Sequence, residues 1–149
     1  MESIVERAGV LSMRIAMMGS GGIGGYFGGR IAAAGVDVAF IARGRQLAAM
    51  RESGLRLDSR ERGDAIINPV SVSDDPAQIG PVDYVIIGVK LWDTEIAGRS
   101  ILPLLGPDTA ILSLQNGVDC DDLLTPIVCR ERLISGVAFI ASSISTPGV

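Results

Sequence analysis

Short apolar runs alternate along this chain with segments whose apolar residues recur at helical spacing. Runs of this length, bounded by turn residues, are typical of strands buried in a parallel sheet, and the segments between them predict helices. Alternation of the two predicts an α/β fold with a doubly wound, mostly parallel sheet. The predicted strands span residues 14–18, 37–41, 83–89, 110–114 and 133–140. The predicted helices span residues 22–34, 45–52, 94–105 and 119–128, with one further helical turn at 75–79.

One segment interrupts this alternation. Residues 55–58 and 65–72 have strand-like patterns and are separated by a polar turn at 59–64. We expect them to form an inserted β-hairpin. The first twelve residues precede the first predicted strand, so we divide the chain into an N-terminal extension, 1–12, and one domain, 13–149.

A glycine-rich turn joins the first predicted strand to the first predicted helix. It reads Gly19-Ser20-Gly21-Gly22-Ile23-Gly24. In this context Gly19 permits a tight turn, Gly21 leaves room for a pyrophosphate and Gly24 lets the helix approach the strand. The phosphates would bind to the N–H groups at the positive end of the helix dipole. This pattern predicts a Rossmann-like dinucleotide site, with a merely flexible glycine turn as the alternative.

The helix after this turn has its own apolar pattern. Ile23, Phe27, Ile31 and Ala34 recur at i, i+4, i+8 and i+11. This spacing predicts that they form the face of the helix that packs on the sheet.

Arg43 bears on the choice of cofactor. An NAD site usually has Asp or Glu at the end of the second strand, where it binds the ribose hydroxyls. Here that position reads Ala42-Arg43-Gly44-Arg45, without an acid. A guanidinium suits the 2′-phosphate of NADP, which it can bind through two hydrogen bonds. We therefore expect NADP(H), and the alternative for Arg43 is a solvated side chain at the start of a helix.

Two further polar residues follow predicted strands. Lys90 is the only lysine beside twelve arginines, and it follows the strand at 83–89. Asn116 follows the strand at 110–114. Both would lie at the carboxyl edge of a parallel sheet, where ligands bind in such folds. Lys90 could instead point into water, and Asn116-Gly117 is a common turn dipeptide. Trp92, close to Lys90, is expected to pack in the core.

Composition excludes some classes of function. The net charge of −4 gives no basic surface for nucleic acid. The chain has no signal-peptide pattern and no apolar segment long enough to span a membrane, so we expect a cytoplasmic protein. Its two cysteines, Cys120 and Cys129, do not form a C-x-x-C motif and should be free thiols. The absence of histidine excludes histidine metal ligands, and we expect no metal site.

With these residues in view, the sequence resembles the ketopantoate reductase (2-dehydropantoate 2-reductase) family from Met13 to Val149. The glycine turn is common to many families, whereas the Val89-Lys90 and Gln115-Asn116-Gly117 elements at this spacing are more particular. The matching segments are 14–24, 42–44, 54–57, 83–90, 114–118 and 147–149.

The resemblance implies reduction of a 2-oxo acid by NADPH on the route to pantothenate and coenzyme A. The cofactor contacts would fall on the glycine turn, Arg43, Lys90 and Asn116, with Ser142 as a further position. Lys90 and Asn116 would also border the substrate. The expected partner is a small-molecule 2-oxo acid, with a homodimer of the full-length protein as a further expectation.

The resemblance also implies a second, mostly helical domain after residue 149, which would supply the catalytic lysine. The sequence is thus expected to be a fragment that binds NADP(H) weakly, has little activity alone and exposes an apolar face. Three alternatives remain: a non-catalytic NADP(H)-sensing module, a reductase of another 2-oxo acid, and a methyltransferase. The last usually needs an acid where Arg43 stands.

Overall fold

A six-stranded parallel sheet forms the centre of the molecule. The computed structural model describes residues 12–115 and 119–149. The strands lie in the order β5-β2-β1-β6-β7-β8, and every neighbouring pair is parallel. They are β1 Arg14–Met18, β2 Asp37–Ile41, β5 Ser71–Ser73, β6 Val82–Ile87, β7 Leu105–Ser113 and β8 Leu133–Ser135. Strands β3 Leu55–Leu57 and β4 Ala65–Ile67 form a separate antiparallel pair.

The path of the chain through this sheet is that of a doubly wound, Rossmann-like fold. From β1 the chain moves outward to β2 and β5, then returns to place β6 on the other side of β1. The order reverses between β1 and β6, and ligands bind in such sheets at the carboxyl edge beside this reversal. The helices are α1 Gly22–Ala33, α2 Gly44–Ser53, α3 Thr94–Ser100 and α4 Cys120–Leu124.

Both faces of the sheet are covered. Successive residues of β1 point to opposite faces. Ala16 and Met18 pack in a buried cluster that includes residues of α3 and α4. Ile15 and Met17 pack in a second cluster with Phe40 and with residues of α2 and the hairpin. Burial on both faces explains why β1 and β2 appear in the sequence as continuous apolar runs.

Glycines, and not the predicted apolar stripe, form the buried face of α1. The buried residues of this helix are Gly24, Gly25, Gly28 and Gly29. A Cβ at Gly28 would lie 2.6 Å from Cε1 of Phe40, so no larger residue fits there without a shift. The prediction that residues 23, 27, 31 and 34 form the face of α1 that packs on the sheet is therefore wrong. The residues at 27 and 31 pack half-buried at the margin, and the residue at 34 is exposed.

Prolines and one glycine account for most differences from the predicted elements. The run at 65–72 is not one strand: it breaks around Pro69, which has no N–H to donate, and 71–73 pair with β2 in the main sheet. The helix predicted at 119–128 ends at Leu124, two residues before Pro126. The helix predicted at 94–105 ends at Ser100, and Pro103 lies in a 3₁₀ turn. The strand predicted at 133–140 ends before Gly136.

The segment after β8 carries exposed apolar side chains. Val137 and Phe139 are 87% and 102% exposed. Trp92, expected in the core, is 79% exposed, so that expectation is wrong. Cys120 and Cys129 are both free thiols, as their spacing predicts. Within the described part of the chain, no helix has the length and apolar character to cross a membrane.

Gly28→Ala tests the close contact between α1 and the sheet. Phe40 and Met17 are fully buried and cannot move freely, so the added methyl group should lower the free energy of unfolding by about 1–3 kcal/mol. Gly25→Ala is the matched control, because its Cβ would meet Ser20 at 3.4 Å, an ordinary contact. Urea unfolding of both variants measures the difference. Equal stability of the two variants would contradict this packing.

Candidate nucleotide-binding site

The carboxyl ends of three adjacent strands meet at the point where the strand order reverses. The glycine turn follows β1, Arg43 follows β2 and Lys90 follows β6 by three residues. Because these strands are parallel neighbours, all three segments lie at one edge of the sheet. The structure therefore brings these sequence-predicted segments together. Asn116, the fourth predicted position, lies outside the described residues.

The geometry of the glycine turn requires two of its glycines. Gly19 has φ +94°, a conformation that side-chain-bearing residues rarely adopt, and a Cβ there would lie 2.6 Å from Cγ1 of Val89. A Cβ at Gly24 would lie 1.8 Å from the carbonyl oxygen of Gly19. The turn can therefore lie against both β6 and the first turn of α1 only when these positions lack side chains.

The start of α1 is open to a ligand on the side of Gly21. Gly21 is the N-cap of this helix, and within residues 12–115 and 119–149 no side chain caps the N–H groups of the first turn. A Cβ at Gly21 would have no heavy atom within 4 Å, so the space beside it is unfilled. Unpaired N–H groups at the positive end of a helix dipole form a site for a phosphate. Ile23, also within the turn, contributes its backbone N–H at the second helical position.

Ser20 is turned away from this open space. Its side chain is buried, and its Oγ donates a hydrogen bond of 3.0 Å to the carbonyl oxygen of Ile41 at the end of β2. The predicted contribution of Ser20 to cofactor binding is consequently limited to its backbone in this arrangement. The hydroxyl instead ties the glycine turn to the neighbouring strand.

Gln46 is a residue of the site that sequence reasoning missed. Its Nε2 donates to the carbonyl oxygen of Ser20 at 3.1 Å, and its Oε1 accepts from the backbone N–H of Gly148 at 2.9 Å. One amide thus connects the glycine turn, helix α2 and the end of the described chain. The available signal was its place in the first turn of the helix after β2, beside the glycine turn.

A cleft of about 240 Å³ lies beside the glycine turn. Its walls are mostly apolar, and its polar lining residues are Ser20, Arg43, Gln46 and Asp93. The remaining lining residues are Met18, Gly19, Gly21, Ile41, Ala42, Val89, Ile96, Ala97 and Ile144. An apolar cleft with a few polar groups, next to unpaired helix N–H groups, has the character of a nucleotide site.

Arg43 lies at the mouth of this cleft. It is the N-cap of α2 and is exposed, and its guanidinium makes no hydrogen bond or ion pair to the described residues. The residues that follow β2, Ala42-Arg43-Gly44-Arg45, include no acid. The position therefore offers an uncommitted positive charge within reach of a ligand in the cleft.

Lys90 is exposed and does not line this cleft. Its backbone is held by Gln115, whose buried Nε2 donates to the carbonyl oxygens of Val89 at 3.1 Å and Lys90 at 3.3 Å. The same Nε2 lies 2.7 Å from Oγ1 of Thr94. Gln115 was not among the predicted site residues, and its place directly before Asn116 was the available signal. It fixes the end of β6 relative to the end of β7.

Ser142 belongs to a segment that crosses the start of α1. A Cβ at Gly22 would lie 2.6 Å from the carbonyl oxygen of Ser142, so this glycine is required for the close crossing. The Oγ of Ser142 is buried and has no hydrogen-bond partner among the described residues. Ser142 lines a second cleft, of about 580 Å³, which borders the first at Gly21, Gln46 and Ile144.

Comparison with known proteins places this chain in a family. The family model "Ketopantoate reductase PanE/ApbA" matches residues 15–149. The chain belongs to this family of pyridine-nucleotide-dependent oxidoreductases, as its motifs predicted. A 2-dehydropantoate 2-reductase from Mesorhizobium japonicum is 38% identical over 107 residues, which cover 71% of this chain and 32% of that protein.

Solved structures agree with this assignment. The crystal structure of 2-dehydropantoate 2-reductase from Geobacter metallireducens GS-15 matches with a TM-score of 0.86 and 37% identity, over 91% of this chain and 44% of that one. The enzyme of the same name from Porphyromonas gingivalis W83 matches with a TM-score of 0.82 and 37% identity, over 91% and 50% of the two chains. The chain thus spans 32% to 50% of the length of these relatives.

Gln46→Ala tests the connection between the glycine turn and the end of the chain. Loss of the amide leaves the carbonyl oxygen of Ser20 and the N–H of Gly148 without these partners, which should cost about 1–2 kcal/mol of stability. It should also speed hydrogen exchange at the Gly148 amide. Arg45→Ala, at an exposed neighbour on α2, is the control. Unchanged exchange at Gly148 in the Gln46 variant would contradict this connection.

Proposed function

We propose that this chain binds NADP(H) and serves the reduction of a 2-oxo acid, 2-dehydropantoate, to pantoate in the synthesis of pantothenate and coenzyme A. Membership of the family supports the class of reaction. Since the chain spans at most half the length of the relatives described above, we propose cofactor binding for the chain itself and the catalytic activity for the whole protein.

The single observation that carries the choice of NADP(H) is Arg43. Arg43 lines the cleft just after β2, and its guanidinium is uncommitted to any described residue. The 2′-phosphate is the group that distinguishes NADP from NAD, and a guanidinium can bind it through two charge-assisted hydrogen bonds. A carboxylate, which would favour the free ribose hydroxyls of NAD, is not present at the end of β2.

The rest of the binding arrangement follows from the glycine turn. The N–H groups at the start of α1 would hold the pyrophosphate, and Gly21 leaves room for its oxygen atoms. Gln46 and Ser20 would position the turn before the ligand arrives, since both are already engaged with protein groups. Such preorganisation lowers the cost of ordering the site on binding.

When bound, the reduced nicotinamide supplies the hydride that converts the 2-oxo carbon to an alcohol carbon, and a proton must reach the carbonyl oxygen. We propose that Lys90 and Asn116 lie on this side of the cofactor. An ammonium group there can bind the substrate carboxylate or stabilise the charge that develops on the carbonyl oxygen. An amide can bind the nicotinamide carboxamide or a hydroxyl. The role of Asn116 stays a sequence-based prediction.

Arg43→Ala tests the cofactor assignment. Removal of the guanidinium should weaken NADPH binding by about 10- to 100-fold and change NADH binding by less than about threefold, because only NADPH carries the 2′-phosphate. Titration calorimetry on the 149-residue chain, with S-adenosylmethionine as a third ligand, measures this. Arg45→Ala should leave both affinities unchanged. Equal loss of NADPH and NADH affinity in the Arg43 variant, or preferential binding of S-adenosylmethionine, would refute the assignment.

Lys90→Ala distinguishes a reductase from a non-catalytic sensing module. In the complete reading frame that contains this chain, the variant should lower kcat/KM for 2-dehydropantoate by about 10²-fold, because it removes a charge beside the reacting oxygen. Lys90→Arg should not fully restore the rate, since a planar guanidinium differs in shape from an ammonium group. Steady-state NADPH oxidation measures both. Wild-type rates in the alanine variant would favour the sensing module.

A further inference from the structure

Two polar side chains of the 240 Å³ cleft remain uncommitted. The polar residues that line this cleft are Ser20, Arg43, Gln46 and Asp93. Ser20 donates to a backbone carbonyl, and Gln46 is hydrogen-bonded through both the nitrogen and the oxygen of its amide. Arg43 and Asp93 make no side-chain hydrogen bond to the described residues and do not pair with each other. The proposed function uses Arg43 for a phosphate. Asp93 has no assigned partner and is the only carboxylate residue among the described residues that line the cleft.

Asp93 lies where a carboxylate is normally hydrogen-bonded by the backbone, yet its own carboxylate has no partner among the described residues. It ends the 3₁₀ turn Leu91–Asp93 and is the N-cap of α3, where a carboxylate normally accepts hydrogen bonds from the helix. This one makes no such cap, although its backbone N–H is bound to the carbonyl of Lys90 at 2.9 Å. The backbone of Asp93 is thus fixed, and this exposed residue lines the cleft with its carboxylate unpaired among the described residues.

The cleft around Asp93 is shaped by apolar side chains from separate parts of the chain. Ile96 and Ala97 come from α3, Val89 follows β6 and Ile144 comes from the segment after β8. Ile96 and Ile144 are 59% and 44% exposed, so a ligand could still cover them. Apolar walls with one polar group at the side suit a flat heteroaromatic ring, whose faces are apolar and whose edge forms hydrogen bonds.

Charge decides which part of a dinucleotide can lie beside Asp93. A phosphate there would be repelled by the carboxylate, so the phosphates belong near Arg43 and the start of α1. An ionised carboxylate only accepts hydrogen bonds. It therefore requires a donor on the edge of the ring, and adenine offers one in its 6-amino group. Hypoxanthine has an oxygen acceptor at the same position.

We propose that Asp93 determines specificity for the base of the cofactor, a proposal that rests on the proposed function. Its carboxylate accepts a hydrogen bond from the 6-amino group of the cofactor's adenine, and the base lies against Ile96, Ala97 and Ile144. The cleft thereby selects an adenine dinucleotide over one whose base carries a 6-oxo group.

The test compares two ligands that differ only on this edge of the base: adenine has a 6-amino group and an acceptor at N1, and hypoxanthine has a 6-oxo group and an N1–H. NADPH and reduced nicotinamide hypoxanthine dinucleotide phosphate are titrated into the 149-residue chain, with binding followed by nicotinamide fluorescence. The wild-type chain should bind the hypoxanthine compound at least about tenfold more weakly, the effect of a lost charge-assisted hydrogen bond. In Asp93→Asn the ratio should fall below about threefold, because the amide can turn its NH₂ group toward the 6-oxo oxygen.

Asp108→Asn is the matched control. It removes the same charge from an exposed position early in β7, away from the carboxyl edge, and should keep the wild-type ratio. Equal binding of the two compounds by the wild-type chain, or an unchanged ratio in Asp93→Asn, would overturn the assignment of Asp93 while NADPH binding itself stood. The wild-type comparison decides this even if the Asp93 variant does not fold. Failure to bind either compound would overturn the proposed function together with this assignment.

Discussion

The site depends on how closely helix α1 approaches the sheet. A Cβ at Gly24 would lie 1.8 Å from the carbonyl oxygen of Gly19, and one at Gly28 would lie 2.6 Å from the ring of Phe40. With side chains at these positions the helix would have to move outward, and its first turn would leave the end of β1. The same contact that completes the core therefore also brings the N–H groups of the helix to the carboxyl edge of the sheet. Folding and ligand binding share one constraint here.

Two side-chain amides fix the positions of the other segments around the site. Gln46 joins the glycine turn to α2 and to Gly148, and Gln115 joins the end of β6 to the end of β7. Each amide binds backbone groups from segments that are far apart in sequence. A buried amide with satisfied donors and acceptors fixes the relative position of such segments more closely than apolar packing does. The uncommitted charges of Arg43 and Asp93 are consequently held on a backbone that is already positioned.

Much of this arrangement could be predicted from the sequence. Strands β1 and β2 were predicted with the observed bounds, because their apolar runs are short, buried on both faces and ended by glycine or charged residues. The hairpin and the shared edge of the glycine turn, Arg43 and Lys90 followed from the same pattern. The predictions failed where one residue overrides a pattern: Pro69 and Pro126 end apolar segments that otherwise continue. The glycine face of α1 was missed because a search for apolar periodicity treats glycine as neutral. Gln46 and Gln115 act through contacts between distant segments, which periodicity does not report.

The most direct test of this account is a map of backbone amide chemical shifts in the 149-residue chain as NADPH is added. We expect the largest changes at Gly21, Gly22, Ile23 and Gly24, followed by Arg43 and Asp93, because the diphosphate would bind at the start of α1 and the adenosine in the adjoining cleft. Little change is expected at the opposite edge, near Arg14 and Asp37. Shifts concentrated at that opposite edge, with the glycine turn unaffected, would contradict it.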